Sequence, residues 1–155
     1  MKKLRVYVDT SVIGGYFDEE FSEWSTALVR DFRSGRYQAV VSNVVSKEIS
    51  AAPEFVRELY AEMLAWPAQI ATVDTETLTL VDQYRDREIL PEKFLEDMLH
   101  IALATITEVD VFVSWNFKHI VRLDKIRLFN AVNLEQGYKP LTIYSPREVM
   151  SYDRE

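Results

Sequence analysis

Short apolar runs alternate with longer segments in which apolar residues recur at helical spacing, and this alternation constrains the fold more than any other feature of the chain. The apolar runs predict five strands, at residues 4–8, 37–41, 68–73, 110–114 and 141–144. The longer segments predict helices over residues 22–33, 42–50, 53–65, 76–88, 91–106 and 125–136. Strands that alternate with helices favour an α/β domain with a mostly parallel, doubly wound sheet flanked by helices.

Length and composition fit one globular domain. The chain has 155 residues, close to the ~150 residues of a typical domain, and no repeat or linker divides it, so a single domain over residues 1–155 is expected. Hydrophobic residues make up 48% and charged residues 28%, which is too apolar for a disordered chain. The absence of cysteine excludes disulfides, thiolate nucleophiles and cysteine-built zinc sites. The spacing of the four glycines excludes a dinucleotide-binding G-x-G-x-x-G motif and a P-loop.

Charge and hydropathy indicate the cellular compartment and the kinds of partner to expect. No apolar signal-peptide core follows the first residues and no run of ~18 apolar residues occurs, so we expect a cytoplasmic protein with no membrane segment. The net charge of -7 argues against nonspecific coating of nucleic acid. It leaves room for a nucleic-acid enzyme whose acidic site holds cations and whose basic residues are local.

Acidic and polar residues recur where predicted strands end or the following helices begin. Asp9 ends the first strand, Glu48 lies in the second turn of the helix after the second strand, and Asp97 lies near the start of the helix that leads into the fourth. Ser114 and Asn116 end that fourth strand. Because ligands of parallel α/β sheets bind outside the carboxyl ends of the strands, these side chains are predicted to meet there. A group of hard oxygen ligands suits Mg²⁺ or Mn²⁺.

Each of these residues also has an ordinary interpretation. Asp9 before Thr10 and Ser11 is a typical helix N-cap, and Glu48 is typical of a solvated helix face. Asp97 could complement a helix dipole, and Asn116 is a common turn residue. The metal-site hypothesis therefore depends on the convergence of all four, and so on the strand assignments.

The two histidines and a local basic stretch extend the predicted site. His100 follows Asp97 by three residues, which is half of a carboxylate–histidine metal motif whose second half is missing, so a buried hydrogen-bonding role is favoured. His119 lies near Asn116 and either contacts a phosphate or metal-bound water or has a structural role. Residues 118–127 contain Lys118, Arg122, Lys125 and Arg127 against a single acid, which is either a phosphate-contact surface or a solvated helix face.

Four segments, taken together, resemble the motifs of PIN domains, and their pattern is most similar to the VapC-like toxin group. Residues 6–13 (VYVDTSVI) resemble the opening strand and its D-[TS]-[SN] ending, and residues 46–49 (SKEI) resemble the second acidic position. Residues 97–104 (DMLHIALA) resemble the D-x-x-x-I-A-x-A helix, and residues 113–119 (VSWNFKH) resemble the final strand with its [TS]-x-[DN] ending. No single motif is specific, whereas four in the right order over nearly the whole chain are fairly specific.

The resemblance implies a PIN-like sheet and a divalent-metal-dependent ribonuclease, often dimeric and often the toxin partner of a cognate antitoxin protein. It transfers the role of metal-site acid to Asp9, Glu48 and Asp97. This sequence departs from the pattern at Asn116, where many relatives have Asp, and at His119, where some have a further acid. The lost charge weakens the expected affinity for metal and puts a second metal in doubt.

These observations lead to the hypothesis of a Mg²⁺- or Mn²⁺-dependent endoribonuclease. The predicted catalytic residues are Asp9, Glu48, Asp97 and Asn116, the supporting residues are Thr10, Ser114 and His119, and the RNA-binding residues are Lys118 and Arg122. One alternative is a catalytically weakened PIN-like binding module that acts through a protein partner, and the substitution at Asn116 favours it. Another is a metal-dependent hydrolase of small phosphate esters, which the same acids would serve.

Overall fold

The computed structural model describes residues 2–152 and confirms the predicted α/β architecture. The strands are β1 (Leu4–Val8), β2 (Tyr37–Ser42), β3 (Gln69–Ala71), β4 (Val111–Val113) and β5 (Ile143–Tyr144). The helices are α1 (Thr10–Gly15), α2 (Ser22–Arg33), α3 (Asn43–Ser50), α4 (Glu54–Ala65), α5 (Thr75–Asp86), α6 (Leu95–Thr107), α7 (Leu123–Glu135) and α8 (Pro146–Val149). No helix within residues 2–152 is long and apolar enough to cross a membrane.

The five strands form one sheet in the order β3-β2-β1-β4-β5, and all neighbouring strands are parallel. Successive residues of β1 face opposite sides: Val6 and Val8 join one hydrophobic core, whereas Tyr7 joins the other. Because helices cover both sides, residues 6–8 of β1 are buried on either face, which explains the apolar run there. The chain moves outward from β1 through β2 to β3 and then returns to β4 on the other side of β1. The strand order therefore reverses between β1 and β4, which is where open α/β sheets bind ligands.

Helix boundaries follow local signals in most places. Ser42 caps α3 by accepting a hydrogen bond from the backbone N–H of Val45 at 3.3 Å, as the sequence predicted. The predicted helix over 91–106 is divided, since a 3₁₀ turn at Glu92–Phe94 precedes α6. Helix α7 begins at Leu123, two residues before the predicted start. Helices α1 and α8 were not predicted.

Gly15 provides the clearest test of packing next to the sheet edge. A Cβ atom at Gly15 would lie 2.7 Å from Nε1 of Trp115 and 2.8 Å from Oγ of Ser25. These two side chains hydrogen-bond to each other, since Trp115 Nε1 donates to Ser25 Oγ at 2.8 Å. Helix α1 can approach α2 and the end of β4 this closely because residue 15 has no side chain.

Gly15→Ala is expected to lower the free energy of unfolding by about 1–3 kcal/mol, because the methyl group overpacks the site and separates Trp115 from Ser25. Urea unfolding followed by tryptophan fluorescence measures the change. Gly14→Ala is the matched control, since a Cβ at Gly14 would meet nothing within 4 Å. Alanine has a higher helix propensity than glycine, so this variant should be no less stable than the wild type. Equal stability of the two variants would contradict the packing described here.

Candidate active site

Asp9 lies at the switch point of the sheet and is almost fully buried, with 4% of its surface exposed. It occupies the N-cap position of α1 without a side-chain capping bond, so the N-cap interpretation does not hold for the carboxylate. Its two oxygens accept hydrogen bonds instead: Oδ1 from Ser11 Oγ and Oδ2 from Ser114 Oγ, each at 2.6 Å. The carboxylate therefore connects the end of β1 to the end of β4.

Burial raises the pKa of the Asp9 carboxyl above its usual value. The nearby charge of His100 and the hydroxyls of Ser11 and Ser114 act in the opposite direction and offset part of that shift. An ionised Asp9 is thus costly in this position, and a cation beside it would favour the ionised form.

Glu48 projects from α3, and its side chain is one-third exposed. Its Oε1 accepts hydrogen bonds from His100 Nε2 at 2.6 Å and from Thr10 Oγ1 at 3.1 Å. Burial alone would raise the pKa of Glu48, but the hydrogen bond and charge of His100, together with the Thr10 hydroxyl, outweigh it and lower that pKa. Glu48 is therefore held in the site rather than lying on a solvated helix face.

His100 is buried with 2% exposure and links Glu48 to the interior of the sheet. Its Nδ1 lies 2.7 Å from the hydroxyl of Tyr7, which in turn lies 2.8 Å from Oγ of Ser42. The buried hydrogen-bonding role predicted for His100 is present. Sequence reasoning missed Tyr7 and Ser42, although the period of two in β1 places Tyr7 on the same face as Asp9.

Asp97 lies in the first turn of α6, with its side chain 21% exposed. Its Oδ2 accepts a hydrogen bond from Asn116 Nδ2 at 3.3 Å and lies 3.4 Å from Nδ1 of His119. Burial is the main cause that raises the pKa of Asp97 to about 6, and the negative charges of Asp9 and Glu48 add to it, partly offset by His100. The repulsion shows that the three carboxylates lie within electrostatic reach of one another.

Asn116 forms a turn and contacts Asp97. Its side-chain oxygen accepts hydrogen bonds from the backbone N–H groups of Lys118 and His119, at 3.2 and 2.9 Å, as a turn residue does. Its amide group consequently faces Asp97 as a donor. In this arrangement Asn116 stabilises a carboxylate of the site and offers no free oxygen to a cation.

His119 and the basic residues lie beside Asp97. The His119 ring packs on Phe94, with a centroid distance of 3.8 Å. Burial lowers the pKa of His119, and the charges of Lys118, Lys125, Lys93 and Arg122 lower it further. These cations are therefore close enough to act on the site electrostatically.

The two predicted RNA-binding residues are both exposed, but they differ in their contacts. Arg122 forms an ion pair with Asp124, whose Oδ1 lies 2.8 Å from the guanidinium Nε. Lys118 follows Asn116 directly and contributes its backbone N–H to the turn. The structure thus places Lys118 and Arg122 next to the acids but does not separate a phosphate-contact surface from a solvated one.

The donor set fits a small divalent cation, since it consists of carboxylate oxygens with hydroxyl and amide groups around them. Within residues 2–152, however, no group of three or more His, Asp and Glu side chains is arranged closely enough to hold a metal ion. Glu48 is bound to His100 and Thr10, and Asp9 is bound to two serines. Asp9 and Asp97 would have to turn towards a common point to hold a cation.

Comparison with known proteins identifies the fold. No protein-family model matches the chain, and no curated protein does so either. Among solved structures, a chain in the crystal structure of VapBC2 from Rickettsia felis, bound to a DNA fragment from its promoter, matches with a TM-score of 0.58 and 12% identity. A chain in the crystal structure of FitAcB from Neisseria gonorrhoeae matches with a TM-score of 0.55 and 14% identity. Each match covers 92% of this chain and 98% of the other.

These two matches confirm the predicted PIN-like fold. At 12% and 14% identity they show the fold alone, so the activity has to be argued from the site.

Proposed function

We propose that this protein is a divalent-metal-dependent endoribonuclease and the toxin component of a toxin–antitoxin pair. The observation that supports the activity most directly is the convergence of Asp9, Glu48 and Asp97, from three distant segments, at the switch point of a parallel sheet. Hydroxyl and amide groups supply several of their hydrogen bonds and orient the carboxylates without bringing a fixed positive charge, as an arginine would.

Asp9 and Asp97 would hold a Mg²⁺ or Mn²⁺ ion directly, and Glu48 would contact its waters, because Glu48 is already fixed by His100. Such an ion supplies an acidified water as nucleophile and offsets negative charge on the scissile phosphate. Ser114 and Asn116 orient the carboxylates of Asp9 and Asp97, at 2.6 and 3.3 Å. These contacts hold the carboxylates beside the switch point, and a bound cation would draw Asp9 and Asp97 to a common point.

Lys118 and Arg122 would contact the RNA backbone next to the acids. Both are exposed, and both lie near enough to His119 for their charges to lower its pKa. In a chain with a net charge of -7, a local group of cations beside the acids directs a polyanion to that part of the surface. His119 would approach a phosphate from the Asp97 side.

Sequence and fold both support the biological role. The four segments that resemble VapC-like toxins and the fold shared with a chain of the VapBC2 structure both favour a toxin with a cognate antitoxin protein. The same resemblance favours a homodimer.

Cleavage of a mixed pool of structured RNA tests the activity. We expect endonucleolytic fragments in Mn²⁺ or Mg²⁺ and none in excess EDTA. A chromogenic phosphate monoester, assayed in parallel, is expected to remain intact. Hydrolysis of the ester without cleavage of RNA would replace the ribonuclease with a hydrolase of small phosphate esters.

One observation favours a second candidate, a weakened PIN-like module that acts through a protein partner. Asn116 uses its oxygen in a turn and presents an amide to Asp97, so the fourth position of the site contributes no negative charge. Binding of RNA or of a partner protein without cleavage in either metal would select this candidate.

A further inference from the structure

A chain of hydrogen bonds runs from the interior of the sheet to the acidic site. Ser42 Oγ and the Tyr7 hydroxyl lie 2.8 Å apart, the hydroxyl lies 2.7 Å from His100 Nδ1, and His100 Nε2 lies 2.6 Å from Glu48 Oε1. Ser42 and Tyr7 are fully buried, and His100 is 2% exposed. All the polar groups between β2 and Glu48 are therefore paired with one another, and bulk water does not reach the inner members.

The direction of these bonds follows from the two ends of the chain. Oε1 of Glu48 also accepts from the Thr10 hydroxyl, as a carboxylate oxygen does, so Nε2 of His100 donates to it. In the neutral imidazole Nδ1 is then an acceptor, so Tyr7 donates to it and Ser42 donates to Tyr7. Ser42 Oγ keeps a lone pair for the N–H of Val45, which caps α3. All the hydrogen bonds in this chain therefore point the same way. They join the N-terminus of α3, the helix on which Glu48 lies, to His100 on α6.

The bonds to Glu48 involve one carboxylate oxygen. His100 and Thr10 both donate to Oε1, and Oε2 receives no hydrogen bond from residues 2–152. We propose that Tyr7 and His100 are positioning residues, which hold Glu48 by Oε1 and leave Oε2 to bind the waters of a divalent cation. This inference rests on the proposed function, because it assigns these two residues a role in cation binding.

The bond between Tyr7 and His100 is the part of this chain that a conservative substitution can remove. Tyr7→Phe keeps the ring and its stacking on Phe112, where the centroids lie 5.1 Å apart, and deletes the hydroxyl. Without that donor, Nδ1 of His100 loses its hydrogen bond, so the ring, and with it the bond from Nε2 to Glu48, is held less firmly. Outer partners of metal sites typically contribute ~10- to 100-fold in metal affinity, so the dissociation constant for Mn²⁺ is expected to rise by about that factor.

Tyr84→Phe is the matched control, since Tyr84 is also fully buried and its hydroxyl donates to Asn133 at 2.5 Å, between α5 and α7. Both variants lose a buried hydrogen bond and should have lowered melting temperatures. Titration calorimetry with Mn²⁺ should show weaker binding in Tyr7→Phe alone. Nitrogen-15 spectra of metal-free protein should show the same Nδ1 signal of His100 in the wild type and in Tyr84→Phe, and a shifted Nδ1 signal in Tyr7→Phe, where that nitrogen has lost its donor.

The two readouts separate this inference from the proposed function. If Mn²⁺ binds the wild type and Tyr7→Phe equally well, the positioning role is overturned while the metal site stands. If the wild type binds no Mn²⁺, the proposed function fails, and with it the cation-binding role of Tyr7 and His100. In that case the spectra still test whether Tyr7 positions His100 and, through it, Glu48. Unchanged His100 spectra in Tyr7→Phe would overturn this positioning role as well.

Discussion

Asp9→Asn is expected to reduce metal-dependent RNA cleavage at least ~10³-fold while the chain stays folded. The substitution removes the negative charge of the most buried acid of the site and replaces one potential metal ligand with a weaker one. A 10³-fold loss corresponds to about 4 kcal/mol of transition-state stabilisation, which is within the range that a catalytic metal supplies. The asparagine side chain has the same shape, and Ser11 and Ser114 can still hydrogen-bond to it.

Asp31→Asn is the matched control for that experiment. Asp31 is buried to a similar degree, with 3% exposure, but its carboxylate binds the backbone N–H and the hydroxyl of Ser151 near the far end of the chain. The control variant should cleave RNA at the wild-type rate in Mn²⁺, with fragments resolved on a denaturing gel. Equal residual cleavage by Asp9→Asn and the wild type would remove Asp9 from the catalytic site.

The fold could be predicted because strands that are buried on both faces appear in the sequence as short apolar runs. Strand β1 and helix α2 have the predicted bounds, and the alternation of short strands with helices indicated the parallel sheet, although not the order of its strands. Helix α1 was missed because its six residues include two glycines and three β-branched residues, which have low helix propensity. Its helical form depends on packing, seen where Gly15 contacts Trp115 and Ser25, and such contacts have no local sequence signal.

The location of the site could be predicted from the sequence, but the contacts between its side chains could not. Residues that follow parallel strands meet at one edge, so the proximity of Asp9, Ser114 and Asp97 needed only the strand assignment. The pairing of Glu48 with His100 joins residues 52 positions apart through side-chain directions that no period specifies. The orientation of the Asn116 amide could not be predicted either, because asparagine is common both in turns and in binding sites. Its orientation is set by the two backbone N–H groups that donate to its oxygen.

The Asp97 carboxyl is expected to destabilise the metal-free protein between about pH 4 and pH 7, and Asp97→Asn is expected to remove that contribution. The pKa of Asp97 rises from 3.8 to about 6 on folding, so the folded chain binds its proton more tightly than the unfolded chain. The stability that this proton contributes is complete below about pH 4 and is lost as the pH rises through 6. At ~1.4 kcal/mol per pKa unit, the loss amounts to roughly 3 kcal/mol.

Urea unfolding in EDTA at several pH values measures this effect as the difference between wild type and Asp97→Asn, in which the contributions of other groups largely cancel. Glu96→Gln, one residue earlier on α6 and exposed, should keep the wild-type profile. Parallel profiles for wild type and Asp97→Asn would contradict the raised pKa. Saturating Mn²⁺ near neutral pH should restore stability to the wild type and to Glu96→Gln, by about 2.7 kcal/mol at a hundredfold excess over the dissociation constant, and should leave Asp97→Asn unchanged. The burial of Asp97 and its repulsion by Asp9 and Glu48, which destabilise the ionised carboxylate in the metal-free fold, are thus the same features that would favour a bound cation.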